Sequence, residues 1–494
     1  MARDLLLAID QGTTGTTSLV MNTDGATLAR RTVEFAQHYP EPGWVEHEPT
    51  EILASVEASV AHVLGQVGSE RIAAIGITNQ RETTLVWERG TGKPIHRAIV
   101  WQDRRTAPMC ERLRAEGHEA TFRARTGLVL DPYFSGTKIA WLLDHVEDAR
   151  ARADRGELAF GTVDAYLVHA LSGGTRHATD ATNASRTLLL DLASCAWDAE
   201  LCALLGVPRA LLPEVVASAG PIATTRGFQG LPDGLPITGI AGDQQAALFG
   251  QACFGVGDSK CTYGTGAFAL TNVGTAPKAS AHGLLTTIAW KVGDRVHYAL
   301  EGSAFIAGAA VQWLRDGLGV IQSAAEIEAL AASVRSSDGV VFVPALAGLG
   351  APHWDPHARG LVSGITRGTT RAHLARAVLE GIAFEVTDLL GAAAADLGQP
   401  IARMRVDGGA AANGLLMQLQ ADFADVTIER PHELESTARG AAMLAGVGAG
   451  LFASMEDAAR MSRVERTYAP SMSVDERASH RARWAHAVRL ATQH

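Results

Sequence analysis

A chain of 494 residues, 47% of them hydrophobic, is too long for one ordinary core and calls for two or more domains. With 19% charged residues and 51 glycines, the composition is not that of a disordered chain. The formal net charge of −10, with no long basic run, excludes a duplex-binding surface, so no nucleic-acid partner is expected.

The chain starts MARDLLLAID, an apolar run too short for a signal peptide and without a small-residue cleavage site. Residues 5–9 form a continuous apolar run, as a buried strand would. Residues 12–17 read as a Gly/Thr turn, 18–22 resume strand character, and Asp24-Gly25 signals a type I′ hairpin before a strand over 26–35. Helical spacing covers 50–64 and 138–145, and strand patterns cover 72–78 and 84–87. The opening recurs near the middle: strand-like 259–263, the turn Gly264-Thr265-Gly266, then strand-like 267–272. Two such units suggest two related α/β domains across a cleft, divided where glycines cluster at 250–257. A third glycine signal, Asp407-Gly408-Gly409, follows strand-like 404–406 and precedes a helix starting near Asn413. Residues 440–455 are mostly Gly and Ala and fall short of the roughly 18–20 apolar residues of a spanning helix. They read as a tightly packed internal helix, so no membrane insertion is expected.

The five cysteines, Cys110, Cys195, Cys202, Cys253 and Cys261, form no CxxC pair and have no His at zinc-ligand spacing, which argues for reduced thiols in the cytoplasm. His353 and His357 have the four-residue spacing of a helical metal site, but Pro352 and Pro356 flank them, so a loop is expected instead.

Five motifs have the residue types that chemistry needs. Asp10-Gln11-Gly12-Thr13-Thr14-Gly15-Thr16-Thr17 puts a carboxylate at a strand end before Gly and hydroxyl residues, which can hold a hydrated cation and donate to phosphate oxygens; a plain hairpin needing glycine fits the same residues. Gly264-Thr265-Gly266 alone reads first as a turn, and gains meaning only when paired with the first motif. Asp407-Gly408-Gly409-Ala410-Ala411-Ala412-Asn413 admits either a flat purine or ribose near the backbone or close helix–sheet packing. In Gly242-Asp243-Gln244-Gln245 the aspartate, between apolar 235–241 and helix-like 244–249, is a candidate base or a helix cap. Asn79-Gln80-Arg81-Glu82-Thr83-Thr84 offers a donor fork beside an acceptor, suited to a polyol or to a surface ion pair.

Together with IVWQDRRT, DPYFSGTKIAWLLDH, GTVDAYL, YGTGAF, GLGAPHWDPHARG and ARGAAMLAG, these segments stand in an order that resembles the FGGY carbohydrate kinases, within the actin–hexokinase–Hsp70 superfamily. The resemblance runs from about Leu5 to about Val464, and GWVEHEP, NQRETT and GDQQAALFGQ are similar to the glycerol-phosphorylating members in particular. It implies an α/β fold of two actin/hexokinase/Hsp70-like (RNase H-like) domains flanking a deep cleft. Residues 1–252 would bind glycerol and phosphate, and residues 253–494 the nucleotide. It implies transfer of the γ-phosphoryl of ATP to glycerol with Mg²⁺, giving sn-glycerol 3-phosphate and ADP, in a cytoplasmic homodimer or homotetramer.

By that likeness Asp243 is the catalytic base, and Arg81, Glu82, Tyr133, Asp243 and Gln244 hydrogen-bond glycerol, with Trp101 and Phe268 as an apolar wall. Asp10 and Asp243 hold the metal. Thr13, Thr14, Gly15, Thr17 and Thr265 lie at the phosphates; Gly308, Gln312, Gly409 and Asn413 surround ribose and adenine. Residues 161–170 and 438–450 resemble the two small-residue elements that cross at the hinge. Thr17 departs from the Arg that many members carry there, which shifts phosphate binding onto amides, hydroxyls and Mg²⁺. Residues 227–234 lack the basic character of members inhibited by fructose 1,6-bisphosphate, so that regulation is not expected. An FGGY kinase of xylulose or gluconate, and an actin- or Hsp70-like ATPase, are the rival readings.

Overall fold

The computed structural model describes residues 3–493, and each half of the chain builds a sheet on one plan. In the first half β1 (Leu5–Gln11), β2 (Gly15–Asn22) and β3 (Thr27–Glu34) form an antiparallel meander. Then β4 (Ile72–Asn79) joins β1 in parallel, β5 (Ala219–Thr224) lies antiparallel on β6 (Pro236–Gly242), and β6 joins β4 in parallel. The second half repeats this. There β8 (Ala267–Gly274) lies antiparallel to β7 (Ser259–Tyr263), and β9 (Leu285–Val292) pairs antiparallel with β10 (Arg295–Ala304), which flanks β8. Parallel to β7 runs β11 (Arg403–Asp407), followed by β12 (Thr427–Pro431) and, antiparallel at the edge, β13 (Val464–Tyr468). The halves join through one strand pair, Ala219 on β5 opposite Val292 on β9.

Six helices carry or support the candidate site residues: α1 (Pro49–Val67), α2 (Val163–Leu171), α3 (Asp243–Gly250), α4 (Gly308–Asp316), α5 (Gly414–Ala424) and α6 (Ser436–Gly448). The run LLLAIDQ is almost continuously apolar because helices cover both faces of its sheet. Leu5, Leu7, Ile9, Ile75 and Ile77 pack against α1 and α2, whereas Leu6, Ala8 and Ala74 pack on the opposite face with Ala438, Ala441, Ala442 and Ala445 of α6. Alternation along each strand thus sorts its side chains between two cores.

On that second face the backbones nearly touch. A Cβ on Gly76 would lie 2.1 Å from the Ala441 carbonyl oxygen, and one on Gly440 would lie 1.8 Å from that of Ala246. Small residues are therefore obligatory where α6, from the second half, crosses α3 and lies on the first half's sheet. This corrects the expected hinge pair. The tightly packed 438–450 segment is one member, but its crossing partner is α3, since α2, which holds most of 161–170, covers the other face.

Two turns also differ from expectation. Strand pairing resumes at Gly15, with Thr17 opposite Asp10 and Thr16 opposite Gln11, so the turn spans only Gly12 to Thr14. At Asp24-Gly25 only the glycine has a positive φ, 83°, which is not type I′; the Asn22 side chain accepts N–H bonds from Asp24 and Ala26 and closes a longer loop. The His353–His357 stretch lies outside every helix, as its prolines require. Among the described residues no helix is long and apolar enough to cross a membrane.

Candidate active site

The strand β4 ends at Asn79, and its neighbour β6 ends at Gly242, so the residues after them emerge side by side. Arg81 and Glu82 follow β4, and Asp243 opens α3 directly after β6. Gly242 has no side chain, and the Arg81 stem occupies that space; a Cβ there would lie 2.7 Å from Arg81 Cγ. Glu82 adopts a left-handed φ of 59°, a strained conformation for a non-glycine residue that turns its carboxylate inward.

Arg81 is 3% exposed and holds the centre. Its Nε lies 3.3 Å from Asp243 Oδ1, and its Nη2 donates to the Tyr133 hydroxyl at 3.3 Å. Its fork grips Glu301 at 2.5 and 2.9 Å. Arg186 mirrors it, donating to Glu82 Oε1 at 2.7 Å and Glu301 Oε1 at 3.0 Å. Two guanidiniums thus balance two carboxylates with almost no water contact. Burial favours the neutral acid at Glu301, but Arg186 and Arg81 outweigh it and hold that carboxyl down to about 2. At Glu82 burial wins over the same cations and the carboxyl is raised.

Asp243 differs from these. Its side chain keeps 32% of its exposure and faces outward, while its Oδ1 accepts the Gln244 N–H at 2.7 Å. It sits at the first helical position and not at the cap, which is Gly242. Burial raises its carboxyl above the ordinary aspartate value, with Arg81 and Lys260 pulling against that. Gln244 accepts from buried Lys260, which also donates to Thr262 at 2.8 Å. Lys138, lowered to about 7 by burial, donates to the carbonyls of Tyr133 at 2.7 Å and Glu82 at 3.3 Å and fixes both loops.

An aromatic edge joins this cluster to the first Gly/Thr turn. Trp101 meets Tyr133 edge-on with ring centroids 5.7 Å apart, and its indole N–H donates to Thr13 Oγ1 at 3.0 Å. Gly12 N–H bonds to the Gly15 carbonyl at 2.9 Å and shapes the turn, leaving Thr13 and Thr14 at its tip. Thr17, opposite Asp10 on the next strand, bonds hydroxyl to hydroxyl with Thr32 at 2.9 Å.

The second half presents the matching turn. Gly264 N–H bonds to Gly266 O at 2.9 Å, and the N-terminus of α4 seats on it through Gly308 N–H to Gly264 O, 2.9 Å, and Ala309 N–H to Thr265 O, 3.1 Å. A Cβ on Gly308 would come within 2.6 Å of the Gly264 oxygen, so that seat requires glycine. Gln312 is exposed on α4, and Gly409 has open space on its Cβ side. Asn413 caps α5, its Oδ1 accepting from Leu416 at 2.9 Å, so one of its polar atoms is already committed. Phe268 stands on β8 opposite Ser303, one pleat from the Leu270–Glu301 pair and on the same face.

Asp10 tests whether a cation fits. Burial, with Glu435 and Asp243 adding, pushes its carboxyl well above the usual range. Such an excess of carboxylate is what a divalent cation offsets, and oxygen donors suit magnesium. Among the described residues no group of three or more His, Cys, Asp or Glu is arranged as a metal site. Asp10 and Asp243 would therefore share the ion with water and ligand oxygens, which is how magnesium binds.

Sequence reasoning missed Glu301 and Arg186. Glu301 follows the apolar Tyr298–Leu300 in mid-strand, and Arg186 precedes the apolar Leu188–Leu190. Neither has a motif of its own; each gains meaning from partners more than 100 residues away.

Residues 5–250 match the FGGY family of carbohydrate kinases, N-terminal domain, and residues 259–449 match its C-terminal domain. The chain is 57% identical over 490 residues to the glycerol kinase of Myxococcus xanthus, covering 98% of this chain and 99% of that protein. The crystal structure of Plasmodium falciparum glycerol kinase with ADP superposes with a TM-score of 0.94 at 34% identity, over 100% of this chain and 99% of that one. Gluconate kinase from Lactobacillus acidophilus, 23% identical with a TM-score of 0.88 over 98% and 97% of the two chains, shares the fold.

Proposed function

The chain belongs to the FGGY family of carbohydrate kinases, and from that premise we infer that it transfers the terminal phosphoryl group of ATP to glycerol, giving sn-glycerol 3-phosphate and ADP. The full-length identity of 57% to a glycerol kinase supports the acceptor. The observation that carries the chemistry is Asp243, a carboxylate of raised basicity bonded to a dry arginine–glutamate cluster on one side and open on the other.

In this reading glycerol lies against Trp101, Tyr133 and Phe268, its hydroxyls bonded to Arg81, Glu82, Tyr133, Asp243 and Gln244. Asp243 takes the proton of the attacking hydroxyl as that oxygen bonds to the γ-phosphorus. The bond from phosphorus to the bridging oxygen breaks, and ADP leaves with its electron pair. The Gly12–Thr14 and Gly264–Gly266 turns, with Gly15, Thr17 and Thr265, offer N–H and O–H donors to the phosphates. Gly308, Gln312, Gly409 and Asn413 flank the nucleoside. Asp10 and Asp243 would hold a magnesium ion, which would supply neutralising charge for the phosphate oxygens. The two repeated half-sheets support a division of labour at residues 252 and 253, and the cytoplasm suits five free cysteines.

The competing acceptors are larger sugars. Purified protein with ATP and magnesium is assayed for ADP release with glycerol, xylulose or gluconate. Glycerol is expected to give the highest kcat/KM; a clear preference for either sugar rejects glycerol as the acceptor and leaves the family assignment intact.

A further inference from the structure

Neither Gly/Thr turn has a basic side chain, and Thr17 brings no charge to the position opposite Asp10. The buried cations nearby are engaged: Lys260 with Gln244 and Thr262, and Arg439 with Gly250, Glu433 and Ser436. Arg30 is different. On β3 it stands opposite Leu19, one pleat from Thr32, which stands opposite Thr17, so Asp10, Thr17, Thr32 and Arg30 share a face of the sheet. One pleat is about 7 Å. The Arg30 guanidinium reaches across to Glu435, just before α6, at 2.6 Å, with the two side chains 50% and 32% exposed. An ion pair this open adds little stability and exchanges readily. Of the cations around Asp10, Arg30 acts most strongly on that carboxyl.

We propose that Arg30 binds the polyphosphate of the nucleotide at this edge of the cleft, giving up Glu435 for phosphate oxygens. A guanidinium fork matches phosphate geometry, and Arg30 sits on a rigid strand whose last residue, Glu34 opposite Gly15, adjoins the first turn. The proposal rests on the assignment of a nucleotide to this cleft, but binding tests it without any phosphoryl transfer.

Calorimetry of the full chain with ATP and with adenosine, on wild type, Arg30→Ala, Arg30→Lys and Glu435→Gln, reads it directly. Arg30→Ala is expected to weaken ATP about tenfold or more, with adenosine affinity and melting temperature unchanged; Arg30→Lys regains part of the loss, and Glu435→Gln binds ATP at least as tightly as wild type. Equal ATP affinity in wild type and Arg30→Ala overturns the proposal. So does an equal loss in Glu435→Gln, which would make the pair merely structural, and so does a wild type that binds no ATP. A wild type that binds ATP through Arg30 yet phosphorylates no glycerol leaves this inference standing and removes the acceptor instead.

Discussion

As the proposed base, Asp243 has to be basic enough to take a proton and still be ionised at working pH, and its surroundings bear on that balance: burial raises the carboxyl while Arg81 and Lys260 restrain it. Since the base acts only when deprotonated, kcat/KM should fall on the acid side around a midpoint above the ordinary aspartate value. Asp243→Asn should lower kcat by at least about 10²–10⁴ with an unchanged melting temperature; steady-state rates beside a thermal melt check both. Glu301 acts at one remove. Replacing it with Gln leaves two buried guanidiniums with Glu82 as their one fully buried carboxylate, at a cost of about 3–5 kcal/mol, and Arg81 loses its bidentate anchor. Glu301→Gln should therefore melt lower and raise the KM for glycerol, and a variant unchanged in both would contradict the positioning role. Of this cluster, Asp243 was visible as a carboxylate just after the apolar stretch 235–241, and Arg81 and Glu82 as an adjacent donor and acceptor, but a helix cap and a surface ion pair fitted the same residues until the family resemblance set them aside. Glu301 and Arg186 were not visible, because pairing across the fold is what makes them functional.

The crossing of α3 and α6 depends on glycine at a level a side chain cannot meet. A Cβ on Gly440 would stand 1.8 Å from the Ala246 carbonyl oxygen, so one backbone must retreat. Gly440→Ala should destabilise by about 1–3 kcal/mol or more, visible as a lower melting temperature, whereas alanine at Gly409, with open space, should not; equal melts would mean the crossing tolerates separation. At this scale the strands were the easiest part to read, because burial on both faces makes most of β1 and β4 apolar. The turns were read less well. Cross-strand pairing pulls Gly15 to Thr17 into β2, and the side chain of Asn22 sets the loop that Asp24-Gly25 alone suggested would be tighter. The hinge pair was half visible: Gly/Ala content marked α6, but which helix it crosses depends on the sheet face each one covers.

Across the whole molecule, two half-sheets of like topology join at a single strand pair and through crossed helices, each half ending its first two strands in a Gly/Thr turn. Such a joint permits rigid-body closure, which would bring the Gly264–Gly266 turn toward Asp10 and exclude water as the phosphoryl group moves. The repeated opening at 5–22 and 259–272 announced this duplication in the sequence, while the bridge at Ala219 and Val292 was invisible because two isolated positions have no pattern. In the proposed mechanism Asp243, by taking the proton of a glycerol hydroxyl, makes that oxygen the acceptor of the phosphoryl group. ATP labelled at its γ-phosphorus, incubated with the protein, magnesium and glycerol and then separated by chromatography, tests this most directly. The label should appear on glycerol 3-phosphate with wild type and be nearly absent from it with Asp243→Asn. Label recovered chiefly as inorganic phosphate, or transferred equally well by the variant, would contradict the account.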